Sequence, residues 1–320
     1  MIHVKKSGKS SFMVQDKFGI REIGTYIPTD RIDNLDRIKR FDYNEVSLRD
    51  KIGILSTSRR APNETSSQMA AQAFVNLEAK LDGVLDPSTL DVIILVTQHP
   101  DGFGLPHSSA NLHGALQLPD SCFAFDVSLG CSGFVAALAV AKGYLQATGG
   151  KRAVVCTADP YSISLDEGDK NTSMIFGDAA TATLIEEDAD WAIGAFDMGT
   201  HASTALQRDE RGTLRMDGRT VFNFCAKNVP ISVDNCLKKN NLLIDEVDVF
   251  ALHPGSKYIV DTIRKRLGIS SIRQLDCMDY GNTISSSVPL ILAQIDRSQN
   301  PIVLVSGFGV GLSWATTILM

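Results

Sequence analysis

Short apolar runs bounded by turn residues recur along this chain: Asp91–Thr97, Phe123–Val127, Ala153–Thr157 and Ala180–Ile185, then Val249–Leu252, Ile302–Val305 and Trp314–Met320. Their lengths and their Gly, Pro and Asp boundaries read as buried strands. Between them, apolar residues recur at helical spacing in Ser67–Leu81, Gly133–Ala147, Asn223–Lys239, Lys257–Leu267 and Ser286–Gln294. Strands and helices alternating in this way predict an α/β protein, with a parallel or mixed sheet covered by helices on both faces. The polar, Gly-rich stretch from Gly199 to Thr220 breaks the pattern and reads as a long surface excursion.

The pattern also repeats itself. Val84–Leu95 and Leu243–Leu252 each run from an acidic turn through Asp-Val into an apolar strand, and each half of the chain closes on a small-residue strand ending in Leu or Ile. Two such matches in the same order predict an internal duplication with its join near Glu186–Trp191, giving halves 17–188 and 189–320. Residues 1–16 are basic but hold no apolar segment, so they read as a flexible extension and not as a secretory signal.

Composition narrows the classes of function. A net charge of −6 argues against a general nucleic-acid binder. No apolar run is long enough to span a membrane. The cysteines (Cys122, Cys131, Cys156, Cys225, Cys236 and Cys277) show no CxxC spacing, and they read as unpaired thiols of a cytoplasmic protein. There is no metal-ligand cluster and no dinucleotide-type glycine motif, so no metal or redox cofactor is expected.

One junction carries chemistry. The strand Phe123–Val127 stops, and Leu129-Gly-Cys131-Ser-Gly-Phe134 leads into a helix. A thiol at a helix N-terminus faces unsatisfied N–H groups and the positive end of the helix dipole, so its pKa is expected below the free value. The flanking glycines are expected to allow a strained turn and a close substrate. Taken alone, Cys131 is either a nucleophile or a small buried residue packing a strand end. His253 closes another strand, and Asn282 sits in another turn into a helix. Strand ends of this kind are where α/β proteins build sites.

Together these residues resemble the β-ketoacyl-[acyl carrier protein] synthase III family: Cys131 in its Gly-Cys-Ser-Gly turn, His253 at a strand end, and Asn282 in Gly281-Asn-Thr-Ile-Ser-Ser-Ser-Val-Pro289. Gly24-Thr-Tyr-Ile-Pro28, Ala61-Pro-Asn-Glu-Thr65, Ile175-Phe-Gly-Asp-Ala179 and Gly307–Trp314 extend the likeness over Gly19 to Met320. The resemblance implies the thiolase fold, two pseudo-symmetric halves in a five-layer αβαβα sandwich. It implies a condensing acyltransferase in a specialised fatty-acid or polyketide-type pathway. Cys131 would take an acyl group from acyl-CoA or an acyl carrier protein, and the backbone N–H groups of Cys131 and Val310 would form the oxyanion hole. His253 and Asn282 would hold the carbonyl of a malonyl thioester, and Phe308, Ser256 and Leu105 would shape the pocket. A homodimer is implied, joined around Cys122–Val127, with the loop Asp101–Pro106 entering the partner's site.

Other positions depart from the family pattern. The Asn and Arg that follow the family's His are here Ser256 and Tyr258. The Trp and two Arg that hold the coenzyme A nucleotide align with Ser47, Lys51 and Lys170, so the adenine-stacking ring is absent. An acidic carrier protein calls for a basic dock, and Lys257, Arg264, Lys265 and Arg266 share one predicted helix, with Arg273 just beyond. A non-decarboxylating acyltransferase acting on an oxygen or nitrogen nucleophile is the alternative activity.

Overall fold

The computed structural model describes residues 18–269 and 279–320. The extension expected at 1–16, together with Arg273 and Cys277, lies outside the described residues. β1 (Phe18–Tyr26), β2 (Val92–Val96), β3 (Phe123–Val127), β4 (Arg152–Ala158), β5 (Ala180–Glu187) and β6 (Trp191–Ala192) form one sheet in the order β3-β2-β4-β5-β1-β6. β7 (Asp197–Thr200) is followed by a hairpin, β8 (Leu206–Arg208) and β9 (Leu214–Met216), and then by β10 (Val249–Leu252), β11 (Val303–Gly309) and β12 (Ser313–Leu319). The second sheet runs β10-β11-β12-β7.

The two sheets share a plan. β2 and β4 pair in parallel, β5 and then β1 follow antiparallel, and β10, β11, β12 and β7 repeat that sequence of directions. The repeated Asp-Val pairs explain part of the likeness. Asp91, just before β2, accepts from the N–H groups of Lys151 and Arg152 at 2.7 and 2.9 Å. Asp248, just before β10, accepts from the N–H of Ile302 at 2.8 Å. In each half the carboxylate of one strand therefore anchors the start of its parallel neighbour.

The helices that matter here are α1 (Ser66–Lys80), α2 (Ser108–Ala115), α3 (Gly133–Thr148), α4 (Gly218–Lys239), α5 (Lys257–Leu267) and α6 (Ser287–Leu292). α1 and α2 cover the outer face of the first sheet, α3 and α6 lie between the sheets, and α4 covers the outer face of the second with α5 beside it. That is a five-layer αβαβα arrangement. The central layer is apolar because α3 is pressed from both sides: Phe134, Val135, Ala137, Leu138, Ala141 and Leu145 are all buried.

Two local expectations change. Gly199–Thr220 is not a plain surface excursion: it holds the end of β7, the β8–β9 hairpin and the first turn of α4. Asp217 starts that helix, its side chain accepting from the N–H groups of Arg219 and Thr220, so a good cap overrides a Gly-rich composition. β1 escaped the pattern because its register slips between Ile20 and Glu22, and the bulge breaks the alternation of buried positions.

Candidate active site

The chain leaves β3 and turns through Gly130 and Cys131 into α3, the turn closed by Gly133 N–H donating to the Gly130 carbonyl at 2.7 Å. Neither flanking glycine has a positive φ. Their role is close packing, not the strained turn expected of them. A Cβ on Gly130 would stand 2.3 Å from Val310 Cγ1, and one on Gly133 2.5 Å from Val96 Cγ1. The Cys131 sulfur itself is approached from β11, where a Cβ on Gly309 would fall 2.6 Å from it.

His253 is the first residue beyond β10, and its N–H donates to the Ser306 carbonyl of β11 at 2.8 Å. Its ring stands edge-on to Phe308, 5.6 Å between centroids at 85°. Among the described residues its buried Nδ1 has no hydrogen-bond partner, so none of them dictates the tautomer. Burial drives the imidazole pKa down to about 3, so the ring is neutral in any ordinary buffer.

Asn282 is clamped at both ends of its peptide: its N–H donates to the Ile175 carbonyl at 2.8 Å, and its carbonyl accepts from Gly177 N–H at 2.9 Å. Thus Ile175–Ala179 serves as the seat of the second-half residue. The side-chain Oδ1 accepts from Ile284 N–H at 3.0 Å and the Ser287 hydroxyl at 3.4 Å. With Oδ1 held, the Nδ2 donor is the free end of the amide.

Cys131, His253 and Asn282, contributed by three separate junctions in the two halves, line one cavity of about 500 Å³. All three are buried, as is Phe308 beside them. Leu206, Met216, Val221, Phe222 and Ile259 supply apolar wall, and the exposed Arg219, Asn223 and Tyr258 line it where it meets solvent. Phe222 of α4 and Tyr258 of α5 stack there, 5.0 Å between centroids at 21°.

The thiol overturns an expectation. N–H groups of Val310 and of Cys131 itself bond the sulfur and favour the thiolate, yet burial outweighs them and pushes the thiol up to about 12. Enclosure of the sulfur thus favours the protonated thiol in the resting site.

The other sequence-derived residues separate. Phe308 and Ser256 line the cavity, and Ser256 also caps α5, accepting from Ile259 N–H at 3.4 Å. Val310 brings its backbone N–H to the sulfur. Leu105 does not join the cavity of its own chain: it is 88% exposed, on a loop whose Phe103 is fully exposed as well. Lys51 and Lys170 are exposed and away from the cavity lining. Lys257 reaches Asp261 of its own helix at 2.5 Å, and Arg264 approaches the same carboxylate at 3.9 Å, so i,i+4 and i,i+3 pairing consumes part of the expected basic dock. Lys265 is exposed. Sequence reasoning missed the wall residues of the β8–β9 hairpin and α4. Their signal was the spacing of Leu206, Leu214 and Met216 within the polar stretch. It also missed Asp159, a carboxylate with no accessible surface that follows β4.

Residues 125–202 match the family model described as 3-oxoacyl-[acyl-carrier-protein (ACP)] synthase III, and residues 237–320 match its C-terminal counterpart. The beta-ketoacyl-[acyl-carrier-protein] synthase III of Lactococcus lactis subsp. lactis (strain IL1403) is 31% identical, over 94% of this chain and 98% of that protein. The chain belongs to the 3-oxoacyl-[acyl-carrier-protein] synthase III family. It is a condensing enzyme of the acyltransferase class. Among synthase III structures, that from Aquifex aeolicus VF5 superposes with a TM-score of 0.85 at 27% identity, covering 94% of this chain and 99% of its own. The priming beta-ketosynthase of the R1128 polyketide biosynthetic pathway gives the same TM-score at 25% identity, covering 97% and 99%. The five layers are thus the thiolase-like architecture of synthase III. Among the described residues, no helix is long and apolar enough to cross a membrane.

Proposed function

We propose that the chain loads an acyl group onto Cys131 from an acyl-CoA or acyl-carrier thioester and condenses it with a malonyl group on acyl carrier protein, releasing CO2 and a β-ketoacyl product. The observation that carries this reading is the convergence of Cys131, His253 and Asn282 on one apolar cavity. In the first step the sulfur attacks the thioester carbon, the Cys131 proton passes to the departing thiol, and the N–H groups of Cys131 and Val310 bear the oxyanion. In the second, the malonyl carboxylate leaves as CO2 and its electron pair becomes an enolate. The neutral His253 and the Asn282 amide hold that enolate oxygen as hydrogen-bond donors. The enolate carbon then bonds to the acyl carbon and the Cys131 thiolate departs. No step calls for a metal or a redox cofactor.

Incubation with labelled acyl donors, read by intact mass, tests the first step. A mass gain that persists in Cys131→Ala sinks the assignment, whereas single Ala replacements of Cys122, Cys156, Cys225, Cys236 or Cys277 should leave loading intact. Labelled CO2 from malonyl carrier tests the second, and its absence from a loading-competent enzyme points instead to a non-decarboxylating acyltransferase.

The carrier is proposed to dock on the mouth side, where Lys257, Arg264 and Lys265 share α5 with Tyr258. A homodimer is proposed as well. β3 forms an edge of the first sheet with Phe123 54% exposed, and the exposed Phe103 and Leu105 offer apolar side chains for a second copy. Sedimentation at micromolar concentration showing only the monomer mass would rule it out. The cytoplasm is the proposed compartment, consistent with the five described cysteines, all free and buried.

A further inference from the structure

Asp159 is a buried carboxylate that the chemistry above does not use. Oδ1 accepts from Gln98 N–H at 2.8 Å, and Oδ2 accepts from the Ser285 hydroxyl at 2.5 Å and the Ser285 N–H at 3.3 Å. Those two partners belong to different halves and to different parts of the site. Gln98 backs the nucleophile turn: its Oε1 lies 2.6 Å from where a Cβ on Gly130 would stand, and it accepts from the Tyr161 hydroxyl at 2.5 Å. Ser285 belongs to the turn that starts at Asn282, whose Oδ1 is held by the intervening Ile284 N–H. A single carboxylate therefore ties the Cys131 turn to the Asn282 turn across the join between the halves.

Its charge is not cancelled. Among the described residues Asp159 makes no ion pair, and the titratable groups that face it are Cys131, Tyr161 and, from β8, Arg208. Arg208 is exposed, its guanidinium donating to the Gln98 carbonyl at 2.7 Å, so it acts on Asp159 only through space. A buried carboxylate without a counter-ion is costly. Yet three donors converge here, and an ionised carboxylate, which only accepts, satisfies all of them at once. The same charge works against a thiolate on Cys131.

We propose that Asp159 is a positioning residue of the condensing site, fixing the Cys131 turn through Gln98 and the Asn282 turn through Ser285. The proposal rests on the roles given above to Cys131 and Asn282. Its test compares the wild type with Asp159→Asn and Ser285→Ala in two measurements. The first is the rate of Cys131 alkylation by iodoacetamide near pH 9, followed on the Cys131 peptide by mass. The second is CO2 release divided by acyl loading.

Removing the charge should lower the thiol pKa, and even with the accompanying loss of intrinsic nucleophilicity Asp159→Asn should alkylate a few-fold faster. Its CO2 release should fall roughly tenfold relative to loading, because the turn that carries Asn282 loses its anchor at Ser285. Ser285→Ala keeps the charge, so its alkylation rate should match the wild type while its CO2-to-loading ratio falls. A folded Asp159→Asn that alkylates no faster than wild type overturns the charge effect. Loading and CO2 release falling in proportion overturns the positioning role, and Ser285→Ala decides that point if Asp159→Asn does not fold. A wild type that releases no CO2 would fail the functional reading instead, and the alkylation rates would still decide the coupling of Asp159 to Cys131.

Discussion

His99 and His253 stand just past two corresponding strands, β2 and β10, and burial drives both rings down to about 3. Among the described residues, neither buried Nδ1 has a hydrogen-bond partner. The difference lies in what the rest of the ring meets. His99 Nε2 sits 2.9 Å from the Ser164 hydroxyl, and the ring packs edge-on to Tyr161, 4.8 Å between centroids. His253 leans on Phe308 and lines the cavity with Cys131 and Asn282. Burial and titration are the same for both rings, so neither property identifies the imidazole that touches substrate. An open void beside the ring does.

The comparison can be broken in several ways. The largest effect should come from His253→Ala, in which CO2 release falls by ~10² or more, as when an oxyanion donor is removed, while acyl loading of Cys131 is largely retained. Loss of loading instead would make His253 the base for the thiol. His99→Gln should leave turnover within about threefold of wild type but lower stability by roughly 1–2 kcal/mol, since the ring's bond to Ser164 is lost or weakened. Urea midpoints and turnover measured on the same preparation separate the two histidines, and an equal loss of turnover in both variants would erase the distinction drawn here.

The pH response gives a smaller effect. Both imidazoles have folded-state pKa values below their unfolded value. The stability they contribute is therefore full above the unfolded pKa and is lost as pH falls from about 6.5 towards 3, by about 1.4 kcal/mol per pH unit for each ring. Asp159, raised to about 6, works in the opposite sense, its contribution present at low pH and lost as pH rises through that value. The difference between wild type and His99→Gln isolates one ring, and urea unfolding between about pH 4 and 7 should show a shallower acid limb in the variant. The smallest effect expected is none: CO2 release from pre-loaded enzyme should be flat between about pH 7 and 9, because His253 does not titrate there and Asp159 stays ionised.

What could be read from the chain was what periodicity and spacing carry. The strand Val249–Leu252 and the helix Lys257–Leu267 fall where the apolar pattern puts them. The Asp-Val echo proves to be two carboxylates doing the same job in two sheets. Cys131, His253 and Asn282 were legible because each stands at a junction between elements, and the family resemblance joined the three into one set. The rest depended on three-dimensional neighbours. The thiol's pKa was misjudged because a helix N-terminus can be read from sequence, whereas the enclosure of the sulfur comes from β11, far away in the chain. Leu105 came from the resemblance, on a loop expected to enter a partner's site, and within a single chain it points to solvent. The β8–β9 hairpin was hidden by its polar and Gly content, although its apolar positions form cavity wall.

The central layer has a consequence for how the molecule can be divided. Because α3 is flanked by both sheets, the second half is part of the environment that keeps its apolar surface dry. A fragment ending near residue 188 would carry that helix with one side bare, and a fragment starting there would carry the matching face of β11 and β12 uncovered. Expressed singly, each fragment should be recovered as aggregate. Produced together, they should complement one another as a split protein, with thiol loading restored only on reassembly.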